Sequence, residues 1–288
     1  MPALQSDIDS LRRQIATCAG DLPPERRREA RNAVAHLFRA LEHGVVRAAE
    51  RDEAGIWRVN RWVKDGILLG FRLGRLCDVP GAGPFTFVDF DTLPVRGLRA
   101  EDGVRVVPGG TTVRAGAHLA RGVICMPPSY VNIGAWIGEG TMVDSNVLVG
   151  SCAQVGRGVH LSAGVQLGGV LEPAGALPVI IEDDVMVGGN AGVYEGTIVR
   201  RGAVIAPGVQ LSGSTRVVDI VRNRTWRRDG EQALEIPPGA VVVPGSRPAS
   251  DPVAAAQGIS VYAPVIVKYR DGRTDEAVRL EGQLRVES

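Results

Sequence analysis

Aromatic residues make up only 5% of this chain of 288 residues, and its formal net charge is +1. A charge balance so close to neutral gives no indication of nucleic acid as a partner. No apolar stretch approaches the ~20 residues that cross a bilayer, and no basic segment followed by an apolar run opens the chain. The four cysteines, Cys18, Cys77, Cys125 and Cys152, form no CxxC pair. We therefore expect a cytoplasmic protein with reduced cysteines that binds neither nucleic acid nor membrane.

Glycine, in contrast, is abundant, with 37 residues, and it recurs among aliphatic residues that return every six positions. The first run of these positions, with one soft member at Cys125, is Val113, Leu119, Cys125, Val131, Ile137, Val143, Val149, Val155, Leu161 and Leu167. After a shift of two residues the run resumes at Ile181, Val187, Val193, Val199, Ile205 and Leu211. A small or β-branched residue follows each aliphatic residue by four places, as at Ala117 and Thr141.

A repeat of six residues is the sequence signature of a parallel β-helix. Each hexad supplies one short strand, whose aliphatic side chain enters the core, and one tight corner, where glycine accepts a positive φ at low cost. An amphipathic helix would repeat every 3.6 residues and a half-buried strand every two. We therefore predict a mainly β fold, a left-handed parallel β-helix with an N-terminal α-helical domain and a short C-terminal segment.

The segments on either side of the hexads have other patterns. Residues 1–76 carry apolar residues at helical spacing and are predicted to form a helical domain, with a third helix that begins after Arg58. We interpret residues 77–112 as a linker with short strands, residues 113–247 as the β-helix and residues 248–288 as a C-terminal segment.

The shift of register falls at residues 169–178, which contain two prolines and two glycines. This composition predicts a loop that leaves the coil. Loops that leave a rigid scaffold often carry function, so this loop is a candidate functional element.

Several longer sequence motifs lie within and beyond the hexads. In chain order they are Trp57–Trp62, Arg105–Pro108, Met126–Ala135, Glu139–Asp144, Val149–Gln154, His160–Ser162, Gly168–Pro173, Ile180–Asp183, Ser214–Arg216 and Pro264–Lys268. In these motifs the chain resembles the bacterial tetrahydrodipicolinate N-succinyltransferases of the diaminopimelate–lysine pathway, and the resemblance extends over roughly residues 56–270. Hexads alone occur in many acyltransferases, whereas the Gly-Gly-Val-Leu-Glu-Pro loop is specific to this family.

The resemblance implies an enzyme that needs no metal and uses succinyl-CoA, or another acyl-CoA, as co-substrate. Water adds to the cyclic imine tetrahydrodipicolinate, the ring opens, and the amine attacks the thioester to give N-succinyl-2-amino-6-oxopimelate and free CoA. The resemblance also implies a homotrimer with active sites between neighbouring β-helices. The flat faces of a solenoid suit such packing.

Two residues carry substrate roles by this resemblance. Arg105 matches an arginine that contacts a substrate carboxylate, for which its bidentate fork is suited. Asp144 matches an aspartate beside the substrate amine, where a carboxylate orients the ammonium or takes its proton. A corner-capping aspartate is the alternative interpretation of Asp144. The residues assigned to the acyl-CoA site are Ser162, Gly168, Gly169, Asn190 and Lys268.

The chain departs from the family in one small region. The family usually reads Asp-Thr-Trp where this chain has Asp144-Ser-Asn, and it carries a glutamate, proposed as a catalytic or substrate-binding group, where this chain has Gly192. An arginine of the family is replaced by Asn190. These changes favour an altered substrate or acyl donor, or a slower enzyme. The alternatives are a divergent paralogue that acetylates or succinylates a related amino dicarboxylate, as in tabtoxin-type β-lactam biosynthesis, and a non-catalytic solenoid scaffold.

Two other protein classes fit the sequence poorly. A γ-type carbonic anhydrase needs three histidines around zinc, but only His118 and His160 lie within the hexads. They are seven hexads apart, so three hexads per coil place them on different faces, and we expect no metal site. A sugar-nucleotide uridylyltransferase needs a glycine-rich loop in an N-terminal nucleotide-binding domain, and residues 1–76 contain no such loop.

Overall fold

The computed structural model describes residues 2–18, 20, 22–80, 86–230 and 232–270. The helices of the described residues are α1 (Pro2–Ala16), α2 (Pro24–Glu42), α3 (Arg61–Leu73) and α4 (Pro252–Ala256), with a 3₁₀ turn at Ala100–Asp102. Two antiparallel hairpins precede the coils, and their strands are β1 (Ala49–Arg51) with β2 (Trp57–Val59), and β3 (Leu76–Pro80) with β4 (Thr86–Phe90).

Strands of two residues then follow one another around the coils. They are β5 (Arg105–Val106), β6 (Thr112–Val113), β7 (His118–Leu119), β8 (Ile124–Cys125), β9 (Tyr130–Val131), β10 (Trp136–Ile137), β11 (Met142–Val143), β12 (Leu148–Val149), β13 (Gln154–Val155), β14 (His160–Leu161), β15 (Gln166–Leu167), β16 (Ile180–Ile181), β17 (Met186–Val187), β18 (Gly192–Val193), β19 (Ile198–Val199), β20 (Val204–Ile205) and β21 (Gln210–Leu211). The remaining strands are β22 (Val217–Asp219), β23 (Arg224–Trp226), β24 (Glu235–Ile236), β25 (Ala240–Val243), β26 (Ser246–Pro248), β27 (Ser260–Tyr262) and β28 (Val265–Tyr269).

The coil strands pair in parallel and form three faces, and the ten-stranded face also contains two antiparallel pairs, β22 with β23 and β25 with β28. The first face has the order β21-β18-β15-β12-β9-β6, the second has β24-β19-β16-β13-β10-β7, and the ten-stranded face has β23-β22-β28-β25-β20-β17-β14-β11-β8-β5. Equivalent residues of successive uninterrupted coils are 18 apart, as in the pairing of Met142 with Ile124 and His160, and they are 26 apart across the interrupting loop, as for His160 and Met186. The prediction of a left-handed parallel β-helix is confirmed.

The hexad pattern corresponds to the core of this β-helix. The aliphatic residues of the repeat, such as Val143, Leu161 and Val187, are fully buried in one hydrophobic cluster. The small residues four places later, such as Ala153 and Ala203, are buried beside them. Strands so short are stable because each backbone N–H bonds to the next coil and each second side chain enters the core.

The predicted boundaries need two corrections. The first coil begins at Arg105, inside the segment predicted to be a linker, because Arg105 N donates to Val123 O at 2.9 Å and β5 pairs with β8. In the C-terminal segment, β28 inserts between β22 and β25, so residues 265–269 belong to the ten-stranded face. Residues 271–288 lie outside the described residues.

The N-terminal segment is also not wholly helical. Helices α1, α2 and α3 pack around Leu11, Leu37 and Ile67. The segment between α2 and α3 forms the hairpin of β1 and β2. This hairpin lies against the second face of the solenoid, where Ala49 packs with Ile180. This face carries apolar side chains on its outer side, and the hairpin removes them from water.

The loop that interrupts the hexads folds back against α3. Leu171 packs on the helical core, and the Nζ of Lys64 donates a hydrogen bond of 2.5 Å to the carbonyl oxygen of Ala176. Lys64, one of only two lysines in the chain, is 0% exposed. Burial lowers its pKa below the ordinary value of a lysine, and the neighbouring Cys152 partly opposes that effect. The structure thus confirms the predicted interruption of the coil and shows what holds the loop.

Lys64 should make the stability of the protein depend on alkaline pH. Its pKa is lower in the folded protein than the ~10.4 of an unfolded chain, so between these two values the unfolded chain binds more protons and the free energy of unfolding rises with pH. We expect the free energy of unfolding of the wild type, relative to Lys64→Met, to increase as the pH rises from neutral towards that value. Denaturant titrations of both proteins across this range measure the difference.

The matched control is Lys268→Met, which removes the other lysine from an exposed position. A difference between wild type and Lys64→Met that stays constant with pH would contradict the prediction.

Candidate active site

The corner that leads from the ten-stranded face to the first face brings two of the predicted site residues together. Asp144 and Ser162 directly follow the paired strands β11 and β14, so they occupy equivalent positions on successive coils. Asp144 N donates to Leu161 O, and Ser162 N donates to Val187 O, each at 2.9 Å. Adjacent strands lie about 4.8 Å apart, so the two side chains are neighbours on one edge of the solenoid.

Asp144 is half-buried, and its two carboxylate oxygens differ in their surroundings. Oδ1 accepts a hydrogen bond of 2.7 Å from Ser145 N. Oδ2 has no partner among the residues that the structure describes. Beneath the corner, the buried hydroxyl of Ser129 donates to Asp144 O at 2.8 Å and also contacts Met126 O. The capping interpretation of Asp144 therefore accounts for one oxygen only, and the other is available to a ligand.

Arg105 lies on the same face as Asp144 and is exposed. Its strand β5 is two strands from β11, with Arg105 in the position equivalent to Met142. From strand spacing and residue rise, the Cα atoms of Arg105 and Asp144 are roughly 12 Å apart. The long arginine side chain can cover part of that separation.

The other polar residues assigned to acyl-CoA lie on the opposite side of Asp144. Asn190 adopts a left-handed φ of 57° at the same corner, two coils beyond Asp144, and its side chain packs over Gly164. Lys268 is exposed on β28, which is five strands from β11 along the ten-stranded face. That separation is about 24 Å. Along the solenoid axis the order is thus Arg105, Asp144, Asn190 and Lys268.

Gly168 and Gly169 are not at this corner. They follow β15, where the chain turns from the first face to the second and the interrupting loop begins. A Cβ on Gly168 would lie 2.7 Å from Tyr194 Cδ1, and one on Gly169 would lie 2.9 Å from Ser151 N. Close packing therefore requires glycine at both positions, whatever their role towards a ligand.

The site contains a feature that sequence reasoning missed, next to Gly192. A Cβ on Gly192 would overlap Gln210 Oε1 and would lie 2.5 Å and 2.6 Å from Cε2 and the hydroxyl of Tyr194. Gln210 is held by a hydrogen bond of 2.9 Å from its Nε2 to Asn190 O. The position therefore leaves no gap, because two neutral polar side chains fill it. Both residues lie outside the buried positions of the repeat, so the hexad pattern carries no signal for them.

The two histidines of the repeat lie on different faces, as their spacing predicted. His118 is in β7 on the second face, and His160 is in β14 on the ten-stranded face. Within the described ranges, no three His, Cys, Asp or Glu side chains are grouped as metal ligands would be. Over the same ranges, no helix combines the length and the apolar character that crossing a membrane requires.

A coil of parallel hexads that follows a helical N-terminal unit is typical of the hexapeptide-repeat acyltransferases. Residues 178–212 match a family model described as the hexapeptide repeat of succinyl-transferase, and residues 3–73 match the N-terminal model of tetrahydrodipicolinate N-succinyltransferase. The chain belongs to the tetrahydrodipicolinate N-succinyltransferase family, and it is an enzyme, an acyltransferase.

Similarity to named relatives extends over most of the chain. Over 264 residues, this chain is 44% identical to the 2,3,4,5-tetrahydropyridine-2,6-dicarboxylate N-succinyltransferase of Nitrobacter hamburgensis. The match covers 89% of this chain and 90% of that protein. The enzymes of the same name from Nitrobacter winogradskyi and Idiomarina loihiensis are 43% and 42% identical, over 92% and 89% of this chain and 93% and 90% of those proteins. The family resemblance found in the sequence is confirmed.

The packing around Gly192 can be tested by a double-mutant cycle. Gly192→Ala should lower the free energy of unfolding by about 1–3 kcal/mol, because an added Cβ overpacks the site. The cost should be smaller in a Tyr194→Ala background, because the ring that meets the Cβ is then absent. Gly97→Ala is the matched control, since a Cβ there meets no heavy atom within 4 Å. Equal costs in both backgrounds would contradict the assigned packing.

Proposed function

We propose that the protein transfers the succinyl group of succinyl-CoA to the ring-opened form of tetrahydrodipicolinate, in the biosynthesis of diaminopimelate and lysine. The observation that carries this proposal is the corner at Asp144, where a half-buried carboxylate keeps one oxygen without a partner among the described residues. The names of the relatives support the substrates.

The order of residues along the solenoid supports one direction for the two substrates. Arg105 lies on the N-terminal side of Asp144 and suits a substrate carboxylate, because its guanidinium offers a bidentate fork. Ser162, Asn190 and Lys268 lie on the C-terminal side. Coenzyme A carries its thiol and its phosphates at opposite ends of a long arm, so residues spread over several coils suit one acyl-CoA. The thioester would then meet the amine near Asp144.

Asp144 has two tasks in this reaction. The amine must be neutral to attack the thioester carbon, so the Asp144 carboxylate first orients the ammonium and takes one proton from it, which frees the nitrogen lone pair. The neutral amine then forms the C–N bond, and collapse of the tetrahedral intermediate breaks the C–S bond. The CoA thiolate leaves and takes up the second proton that the nitrogen loses. Gly192 offers no second carboxylate, and Tyr194 and Gln210, which fill its space, are neutral.

The identities of the acyl donor and of the acceptor amine are the most specific part of the proposal. The neutral surroundings of Gly192 favour keeping acetyl-CoA and a related amino dicarboxylate as a second candidate pair. A thiol-release assay with succinyl-CoA and acetyl-CoA, each against tetrahydrodipicolinate and 2-aminopimelate, decides between them. We expect the highest kcat/KM with succinyl-CoA and tetrahydrodipicolinate. A preference for acetyl-CoA would favour the divergent paralogue, and no thiol release from any pair would contradict both candidate pairs.

We further propose that the protein is a homotrimer with active sites between neighbouring β-helices. The outer side of the ten-stranded face supports this, because its outward row, Ile124, Met142, His160, Met186 and Val204, is mostly apolar, and Met186 and Val204 are only half-buried in the single chain. Such a row favours contact with another protein surface. Light scattering at micromolar concentration should give the mass of three chains, and a monomer would contradict the assembly.

Arg105→Ala should separate the two substrates kinetically. The change removes a charge-assisted hydrogen bond worth about 1.5–3 kcal/mol to the dicarboxylate, so KM for that substrate should rise about 10- to 100-fold. KM for the acyl-CoA should change little. Arg28→Ala, at an exposed position on α2, is the matched control. Equal increases for both substrates would indicate that Arg105 has a structural role.

Asp144→Asn should lower kcat while leaving acyl-CoA affinity nearly intact. The amide oxygen can still accept the hydrogen bond from Ser145 N, so the corner is preserved, but the side chain no longer accepts a proton. General-base catalysis is typically worth about 10²–10⁴-fold, and we expect a loss of at least ~100-fold. Asp184→Asn, at another exposed corner with a φ of 60°, is the matched control. Full activity in Asp144→Asn would remove this residue from the mechanism.

A further inference from the structure

A cavity of about 690 Å³ lies on the second face of the solenoid, away from the Asp144 corner. Residues around β1 and β2 form one side of it, including Arg47 and Trp57, and the strands of the second face form the other, including Trp136. The volume is in the range of small-molecule sites, about 300–1,000 Å³. Neither the resemblance nor the proposed acyl transfer assigns a role to this cavity.

Arg47 holds the two sides of the cavity together. Its Nε donates a hydrogen bond of 2.9 Å to Gln154 Oε1, and Gln154 is itself 1% exposed. The guanidinium carbon lies 4.0 Å from the centroid of the Trp136 ring and 5.7 Å from that of Trp57. On its far side, Trp136 stacks on His118 with the ring centroids 4.0 Å apart. The guanidinium thus has an indole against its face and a neutral amide as its acceptor.

The other arginines of the cavity each have a carboxylate. Arg51 pairs with Glu182 at 2.6 Å, and Arg157 and Arg201 approach Asp183 at 3.6 Å and 3.2 Å.

Glu182 has its own full set of donors. Burial would raise its pKa, but hydrogen bonds from Trp57, Arg201 N, Arg200 and Arg51 outweigh that effect and lower it. Both Glu182 and Asp183 are therefore neutralised by neighbours. The lining holds four arginines and three carboxylates, the third being the exposed Glu139, which leaves one net positive charge.

Arg47 is the cation without a carboxylate. Among the described residues, no carboxylate oxygen lies within ion-pair distance of its guanidinium, and its Nη1 and Nη2 have no hydrogen-bond acceptor. Burial lowers the pKa of Arg47 to about 10, against the weaker opposing effect of Glu50 and Asp183. The group is therefore still charged at neutral pH. A half-buried charge is stabilised by a partner of opposite sign, and the two free nitrogens of the fork match the two oxygens of a carboxylate.

We propose that this cavity binds a small organic carboxylate, with the carboxylate on Arg47 and the hydrocarbon portion against Trp57 and Ala120. The charges favour a carboxylate over a phosphate, since one net positive charge among three carboxylates does not balance a dianion. Trp57, Ala120 and the ring edge of Trp136, whose two faces are covered by Arg47 and His118, favour an apolar body over a bare ion, because they offer a hydrophobic surface beside the charge. Such a ligand would bridge the N-terminal hairpin and the solenoid.

Tryptophan fluorescence gives a direct measure of this binding. The chain has four tryptophans, so Trp62→Phe with Trp226→Phe leaves only Trp57 and Trp136 as emitters. Titration of this full-length protein with hexanoate should give a saturable change, and titration with inorganic phosphate should not. Arg47→Met should weaken hexanoate binding about 10- to 100-fold, because it removes a charge-assisted pair. No turnover is measured, so the result is independent of acyl transfer.

Two further variants make the test decisive. Arg222→Met is the matched control. Arg222 also stacks on a ring, 3.9 Å from the centroid of Tyr269, but it lies outside the cavity. The Arg222→Met protein should therefore bind hexanoate as tightly as the parent does. Ala120→Phe fills the cavity while retaining Arg47, so this variant should not bind hexanoate. It provides the test if Arg47→Met does not fold. The proposal is overturned if hexanoate does not saturate the signal, if phosphate does, or if folded Arg47→Met or Ala120→Phe binds hexanoate as tightly as the parent.

Discussion

The backbone hydrogen bonds between successive coils are the constraint on which the rest of the structure depends. An uninterrupted coil returns to the same place after 18 residues, as Met142 does beside Ile124 and His160. This return leaves two inward positions per hexad, one aliphatic and one small, and a larger or more polar side chain at either would separate the coils. The outward positions are fixed by the same ladder, so they form columns along the axis whatever residues they carry.

A site built on such columns is necessarily spread along one edge. Each coil contributes a residue about 4.8 Å from the next, and Asp144 and Ser162 are one such step. This arrangement suits the substrates that we propose, a small dicarboxylate and a long acyl-CoA that meet end to end, because the acyl-CoA can follow the axis away from the reacting atoms. The rigid corner also fixes Asp144 through its backbone, since Ser129 beneath it bonds the carbonyl oxygen. The carboxylate is thus positioned without using both of its oxygens.

The sequence predicts the coils well because the hexad signal is local. Every inward residue, such as Leu161, is identified by its neighbours six places away. The contacts that the sequence did not predict join distant segments. Arg47 meets Gln154 across 107 residues, and Lys64 meets Ala176 across 112. Neither contact has a period, and each depends on how the N-terminal unit packs against the finished solenoid. The interrupting loop was therefore predictable as a break, and its attachment to α3 was not.

Gly192 illustrates the same limit at the candidate site. Compared with the family pattern, the sequence indicates the loss of a glutamate, and a loss suggests an empty space. The structure instead has Tyr194 and Gln210 in that space, so the change is an exchange of a charged group for two neutral ones. A neutral phenol and amide can donate and accept hydrogen bonds, but they do not hold an ammonium as a carboxylate does. In the mechanism that we propose, the demand for a proton acceptor therefore falls on Asp144, which is the reason to expect that chemistry to depend on a single carboxylate.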